Sequence, residues 1–164
     1  PIVVVTYSDF QCFYCKKGFE TIEQLRNKYK GKIVFVFKHL PLSVHPWAMP
    51  AAKRFEAIAL QNPQKAYLYH DELFKNQESI ESGGESFLDE TAKKLKVDMA
   101  KMKKDMESDS VQKQIDADMA EAKSFGIEGT PGFIVMGVSL KGAYPIETFE
   151  YVINRKNADK KSGR

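Results

Sequence analysis

Ile2 to Tyr7 is a nearly unbroken β-branched run, which predicts a strand covered on both faces. Behind it Phe19, Ile22, Leu25 and Tyr29 recur at helical spacing, so Phe13 to Tyr29 should be a helix, ended at Gly31 where positive φ is needed. Ile33 to Phe37 reads as a second buried strand. A strand, a helix and a strand at these spacings form a βαβ unit with a parallel pair.

The pattern changes after residue 40. Trp47, Ala51, Phe55 and Ile58 line one helical face, with Pro50 in or near the opening turn. Tyr67, His70, Leu73 and Phe74 mark a further helix ending near Asn76, and Ser82-Gly83-Gly84 reads as a loop before a helix carrying Leu88, Ala92 and Leu95. Asp98 can cap a short helix with Met99, Met102 and Met106, and Ser108 or Asp109 can cap one with Val111, Ile115, Met119 and Ala122, stopped at Gly126. The methionines and Trp47 are expected to be packing residues. Strand character returns at Phe133 to Met136 and Val138 to Leu140, close enough across Gly137 for a hairpin. A last helix starts at Pro145 and buries Phe149, Val152 and Ile153. The order is βαβ, helical block, ββα. The expected division is a discontinuous α/β domain of residues 1–40 and 126–156, a helical insertion over 41–125, and a basic, flexible tail over 157–164.

Length and composition fit this division. The 164 residues are enough for one domain with an insertion, and 43% hydrophobic with 29% charged residues is globular composition. No apolar run approaches the roughly 18 residues of a membrane span. The first residues lack the basic region of a signal peptide, so an export leader is expected to be missing from this sequence. The net charge of +3 conceals basic ends and a mildly acidic middle. Nucleic-acid binding is not expected, because no basic stripe is interleaved with base-reading residues.

The two cysteines, Cys12 and Cys15, form a single CxxC. With no others present, a stapling disulfide framework is excluded, and the pair is either redox chemistry or half of a metal site. Zinc would need two of His39, His45 and His70, which lack the second closely spaced pair usual for a structural site; no metal is expected. As redox chemistry the arrangement is direct. Cys12 falls at a helix start, where unpaired N–H groups favour a thiolate, and Cys15 lies one turn later, placed to close a reversible disulfide. Gly129-Thr130-Pro131-Gly132 precedes the third strand. If Pro131 is cis, the Thr130 backbone is free beside Cys12 to pair with an extended substrate, whereas a trans proline would merely start the strand.

The segments Tyr7-Ser8-Asp9-Phe10-Gln11-Cys12-Phe13-Tyr14-Cys15-Lys16, Leu40-Pro41-Leu42 with His45-Pro46, and Gly126-Ile127-Glu128-Gly129-Thr130-Pro131-Gly132-Phe133 together resemble the DsbA-like branch of the thioredoxin superfamily, the bacterial disulfide-bond proteins. The resemblance covers nearly the whole chain. It implies an α/β thioredoxin fold (βαβ…ββα) with an all-helical insertion between the second and third strands. It also implies that Cys12 is the nucleophile, Cys15 the resolving thiol and Pro131 a cis-proline, with no cofactor beyond the redox-active Cys12–Cys15 disulfide. Two positions depart from the family pattern: Phe13 stands where many relatives have proline, and Thr6 where many have a buried acid that relays protons to the resolving thiol.

The expected activity is therefore that of a protein dithiol/disulfide oxidoreductase forming disulfides in exported proteins, in the periplasm or another extracytoplasmic space. Isomerase and reductase roles would use the same residues, and a non-catalytic binding module is the alternative of a different class. Expected partners are unfolded or partly folded protein thiols and a membrane redox protein that re-oxidises the site; a monomer is favoured. Phe13 and Tyr14 are expected to tune the redox couple or to form an apolar docking surface. Thr130 and Pro131 are expected to complete the substrate site.

Overall fold

The computed structural model describes residues 1–163. Four strands form one sheet: β1 (Ile2–Ser8), β2 (Ile33–His39), β3 (Gly132–Val135) and β4 (Val138–Lys141). They are ordered β2-β1-β3-β4. β1 pairs in parallel with β2, from Ile2 opposite Ile33 to Ser8 opposite His39, and antiparallel with β3, where Thr6 faces Phe133. β3 and β4 form the expected antiparallel hairpin. Met136 and Gly137 at its tip both have positive φ, 50° and 84°, as a two-residue turn twisting with its strands requires.

Helix α1 (Phe13–Lys28) links β1 to β2, and α7 (Ile146–Lys161) closes the chain. They sandwich one face of the sheet in a core of Val4, Ile22, Leu25, Phe133, Val135, Phe149 and Ile153, each at most 1% exposed. Five helices lie between β2 and β3: α2 (Ala48–Gln61), α3 (Pro63–Lys75), α4 (Glu78–Lys94), α5 (Met99–Asp105) and α6 (Asp109–Ser124). Asp98 caps α5 and Ser108 caps α6, each side chain accepting an amide from the first turn. The largest apolar cluster is in this helical block, and it extends into the sheet domain through Phe10, Cys12, Cys15 and Phe37. The two cysteines thus sit at the seam between the insertion and the sheet.

Four features differ from the sequence reading. The break expected over residues 82–84 narrows to a single residue: two helical stretches of α4 meet at Gly84, whose φ of 55° and ψ of −136° lie outside the helical region. A Cβ on Gly84 would stand 2.8 Å from Trp47 Cζ2, so glycine both permits the kink and lets the indole close on it. The strands are not covered on both faces along their whole length, since Val3 is 37% and Val34 45% exposed. β2 is an edge strand, and α3 and α6 cap its free amides: Phe37 N–H donates to Tyr67 Oη and His39 N–H to Asp118 Oδ2. Finally, α7 runs to Lys161, so most of the segment expected as a flexible tail is helical, and Arg164 lies outside the described residues. Pro145 is the cap of this helix rather than its first residue.

Candidate active site

Cys12 is the N-cap of α1, with extended φ and ψ of −79° and 123°, and the first turn it opens contains no acidic side chain. Its position at an open helix start follows from the sequence; its cover does not. Cys12 is 7% exposed and Cys15 2%, so the first cysteine is far less open than a helix terminus alone suggests. The loop before β3 supplies the cover. The Cys12 Sγ lies 3.8 Å from the Thr130 carbonyl oxygen, the Thr130–Pro131 peptide is cis, and Pro131 is buried. α1 reaches this loop through Gly18, where an added Cβ would be 2.9 Å from Phe133 Cζ and 3.4 Å from Pro131 Cγ.

Both cysteines are free thiols. Their proton affinities diverge sharply. The Cys12 thiol is pulled down to about 6 from an ordinary 9.0, chiefly by a hydrogen bond from Cys15. Burial opposes this, while the amides of Cys15 and Tyr14 at the helix start add smaller favourable effects. Cys15 moves the other way, well above its ordinary value, because burial penalises its anion and because it is the donor to Cys12. One proton is thus held on the inner sulfur and the charge is concentrated on the outer one. The Cys15 sulfur also accepts the Asp9 peptide N–H at 3.4 Å.

Phe13 and Tyr14 are 61% and 59% exposed and pack edge to face, centroids 5.4 Å apart, with Lys17 Nζ 5.2 Å from the Phe13 centroid. They form an apolar ledge beside the covered Cys12. Thr6 lies within the sheet, where its hydroxyl and that of Thr130 are the buried side-chain oxygens without a hydrogen-bond partner among the described residues.

The histidines are not gathered around the cysteines. His39 Nε2 pairs with Glu56 Oε1 at 2.9 Å, His45 Nδ1 with Asp9 Oδ2 at 2.8 Å, and His70 Nδ1 with Asp71 Oδ1 at 2.9 Å. Among the described residues, the group that could hold a metal ion is His39, Glu56 and Asp118, and it includes neither cysteine.

Sequence reasoning missed the groups that hold the loop carrying Cys12. Gln77 Nε2 donates to the carbonyls of Phe10 and Cys12, and the Trp47 N–H donates to Gln11 Oε1. Phe10, 1% exposed, plugs into rings of Phe37, Phe55, His70 and Phe74. Gln77 and Trp47 come from the insertion, so no local pattern around the CxxC announces them.

A family model described as Thioredoxin matches residues 1–155. A thioredoxin-like oxidoreductase from Silicibacter pomeroyi DSS-3 superposes with a TM-score of 0.81 at 22% identity, covering 96% of this chain and 87% of its own. The thiol-disulfide exchange protein alpha-DsbA2 from Wolbachia pipientis superposes at 0.78 with 20% identity, covering 94% and 81%. In sequence, the chain is 31% identical over 152 residues to part of a Na(+)/H(+) antiporter, NhaA, of Herminiimonas arsenicoxydans; the match covers 93% of this chain and 23% of the antiporter. The chain therefore spans about a quarter of the length of the curated relatives it matches. No described helix is long and apolar enough to cross a membrane.

Proposed function

The chain belongs to the thioredoxin family, and from that premise we propose that it is a thiol/disulfide oxidoreductase working as a dithiol oxidase through Cys12 and Cys15. The observation that carries this reading is the split between the two thiols, one pulled down to about 6 and the other pushed up, at the start of one helix. A low-pKa outer cysteine stabilises the reduced pair as its thiolate, which makes the disulfide an oxidant.

In the first step a substrate thiolate attacks Cys12 Sγ of the Cys12–Cys15 disulfide. The S–S bond breaks, its electron pair passes to Cys15, and a mixed disulfide joins substrate to Cys12. A second substrate thiolate then attacks the substrate sulfur of that mixed disulfide. Cys12 leaves as a thiolate, the substrate gains a disulfide, and two electrons have moved from substrate to protein. The low pKa of Cys12 makes it a good leaving group in this second step. No organic cofactor or metal is needed for the balance.

Phe13, Tyr14, Thr130 and Pro131 are assigned to substrate docking. Exposed rings suit unfolded chains with apolar segments, and the Thr130 backbone is close enough to Cys12 to pair with an extended one. Protein thiols in an oxidising, extracytoplasmic compartment are the proposed substrates, since disulfides persist there. A separate redox partner, membrane-held in this reading, re-oxidises the pair, and the chain acts as a monomer.

The test is to mix the oxidised protein with an equal amount of a reduced peptide containing two cysteines and to count thiols on each. The peptide is expected to become oxidised as the protein becomes reduced. A peptide that stays reduced, from a protein that instead speeds insulin reduction by a dithiol, would assign the same residues to a reductase.

A further inference from the structure

Every polar atom of Asp9 is engaged, and its partners lie on two stretches of chain, residues 11–15 and the loop after β2. The peptide N–H donates to Cys15 Sγ at 3.4 Å, and the carbonyl accepts the Cys12 N–H at 3.2 Å. Oδ1 accepts the Gln11 N–H at 2.8 Å, an Asx-turn on the approach to α1. Oδ2 accepts two donors from the loop after β2, the Leu42 N–H and His45 Nδ1, both at 2.8 Å. Asp9 is 1% exposed and its side chain is wholly covered, whereas the His45 side chain keeps 26% of its surface in solvent. A carboxylate buried so completely is unfavourable unless its lone pairs are filled and its charge is matched. Two backbone amides and the His45 Nδ1 donor fill those lone pairs here.

We propose that the Asp9–His45 pair positions the leaving sulfur of the exchange reaction: His45 holds the Asp9 side chain, and that side chain holds the Asp9 peptide with its N–H aimed at Cys15 Sγ. This rests on the two-cysteine exchange proposed above. When a thiolate attacks Cys12, the electron pair of the broken S–S bond goes to Cys15, a sulfur only 2% exposed. The Asp9 N–H is already in place to meet that charge, and solvent supplies the proton that later neutralises it. A donor fixed before charge develops stabilises the transition state without reorganising at the moment of reaction. The two side chains act through a peptide group, so Asp9 and His45 are positioning residues. The arrangement also explains why the loop after β2 is tied to the turn before α1 by side chain as well as by sheet: three bonds to one carboxylate fix the peptide's orientation where a single bond would let it rock.

The test uses reduction of the oxidised protein by dithiothreitol, followed by acid quenching and thiol counting. This reads attack at Cys12 and departure of Cys15 without a protein substrate. His45→Ala is expected to slow reduction about tenfold, the size of losing one hydrogen bond to an anion. His45→Phe, which keeps the bulk of the ring without a donor, should be slowed equally and covers the case in which the alanine variant does not fold. His45→Asn, whose amide N–H can replace Nδ1–H on Oδ2, should regain most of the lost rate. Unsubstituted rates in the alanine or phenylalanine variant, or an asparagine variant as slow as they are, would overturn the proposal. Failure of the unsubstituted protein to oxidise a dithiol peptide would instead strike at the exchange reaction, leaving the comparison of dithiothreitol rates intact.

Discussion

Gln77, the residue before α4, donates from Nε2 to the Cys12 carbonyl at 2.7 Å and from the same atom to the Phe10 carbonyl at 2.9 Å. An insertion residue thus fastens the backbone of the loop carrying Cys12 on either side of Gln11. Phe10 and Trp47 add to that attachment, Phe10 by filling the aromatic cluster of the helical block and Trp47 by the hydrogen bond its backbone N–H donates to Gln11 Oε1. The insertion and the sheet domain meet where the chemistry is proposed, which makes the stability of the seam and the reactivity of Cys12 two readings of one structure.

Gln77→Ala should therefore destabilise the fold by about 1–3 kcal/mol, because two carbonyls lose a donor in a partly buried site. Gln77→Glu should cost at least as much, since an ionised carboxylate cannot donate and would face two carbonyl oxygens. Urea titrations of the three proteins check both statements. Equal midpoints would show that the contact is incidental.

At Gly18 two effects of known sign compete. Alanine is the better helix former by about 1 kcal/mol. Its Cβ, however, would stand 2.9 Å from Phe133 Cζ, and Phe133 is 0% exposed with Phe149 packed edge to face against it at 4.9 Å. The ring has nowhere to withdraw, so Gly18→Ala should be destabilising by about 1–3 kcal/mol, the range for an overpacked core. A stabilised variant would mean that α1 can shift away from Pro131.

His70 is enclosed by the rings of Phe10, Phe19, Phe35, Phe37, Tyr67 and Phe74. Burial holds its pKa below the ordinary 6.5, against the opposing hydrogen bond and charge of Asp71 and the charge of Glu23; Arg26 adds to the lowering. The unfolded chain then binds a proton on this residue at a pH where the folded chain does not. Stability should rise with pH through that window and be lost as pH falls below about 6.5. Denaturant melts between pH 4 and 8 should show this loss, and His70→Phe should flatten it. An unchanged slope in the variant would transfer the effect to other groups.

The lowered thiol of Cys12 makes a parallel statement about redox state. With a folded value of about 6 against 9.0 unfolded, the unfolded thiol binds more protons between these limits. The reduced protein gains stability as pH rises through that window and loses it as pH falls through 6. The disulfide has no such contribution, and the entropy benefit of so short a loop is small and model-dependent. At pH 7 the reduced form should melt at or above the temperature of the oxidised form. Paired melts with and without a non-thiol reductant decide this; a clearly more stable oxidised form would favour a reducing role.

Much of this architecture was legible in local pattern. The β-branched runs at Ile2 and Ile33 mark strands, Asp98 announces its helix as a cap, Ser108 and Asp109 both offer a cap for the next, and Gly137 marks the hairpin. The CxxC at the end of a strand places both thiols at a helix start for the same reason, since that position is a local property. What the pattern hid was contributed by distant segments. Two glycines at 83 and 84 predict a loop, whereas the helix breaks at Gly84 alone, where the Trp47 indole packs close against the backbone. The full extent of the last helix was obscured by a charged, apolar-poor ending. Cys12 is covered by residues more than a hundred positions later, and Asp9 meets His45 across 36 positions. Nothing in the spacing of either pair reveals the contact before the chain is folded.

The split between the two thiols is tested most directly by alkylating the reduced protein with iodoacetamide across pH 4 to 10 and assigning each label by mass spectrometry. Cys12 should be modified first at every pH, with a rate that rises through a midpoint near 6, while Cys15 is protected until far higher pH. Preferential labelling of Cys15, or a Cys12 midpoint near the ordinary thiol value of 9.0, would contradict the split.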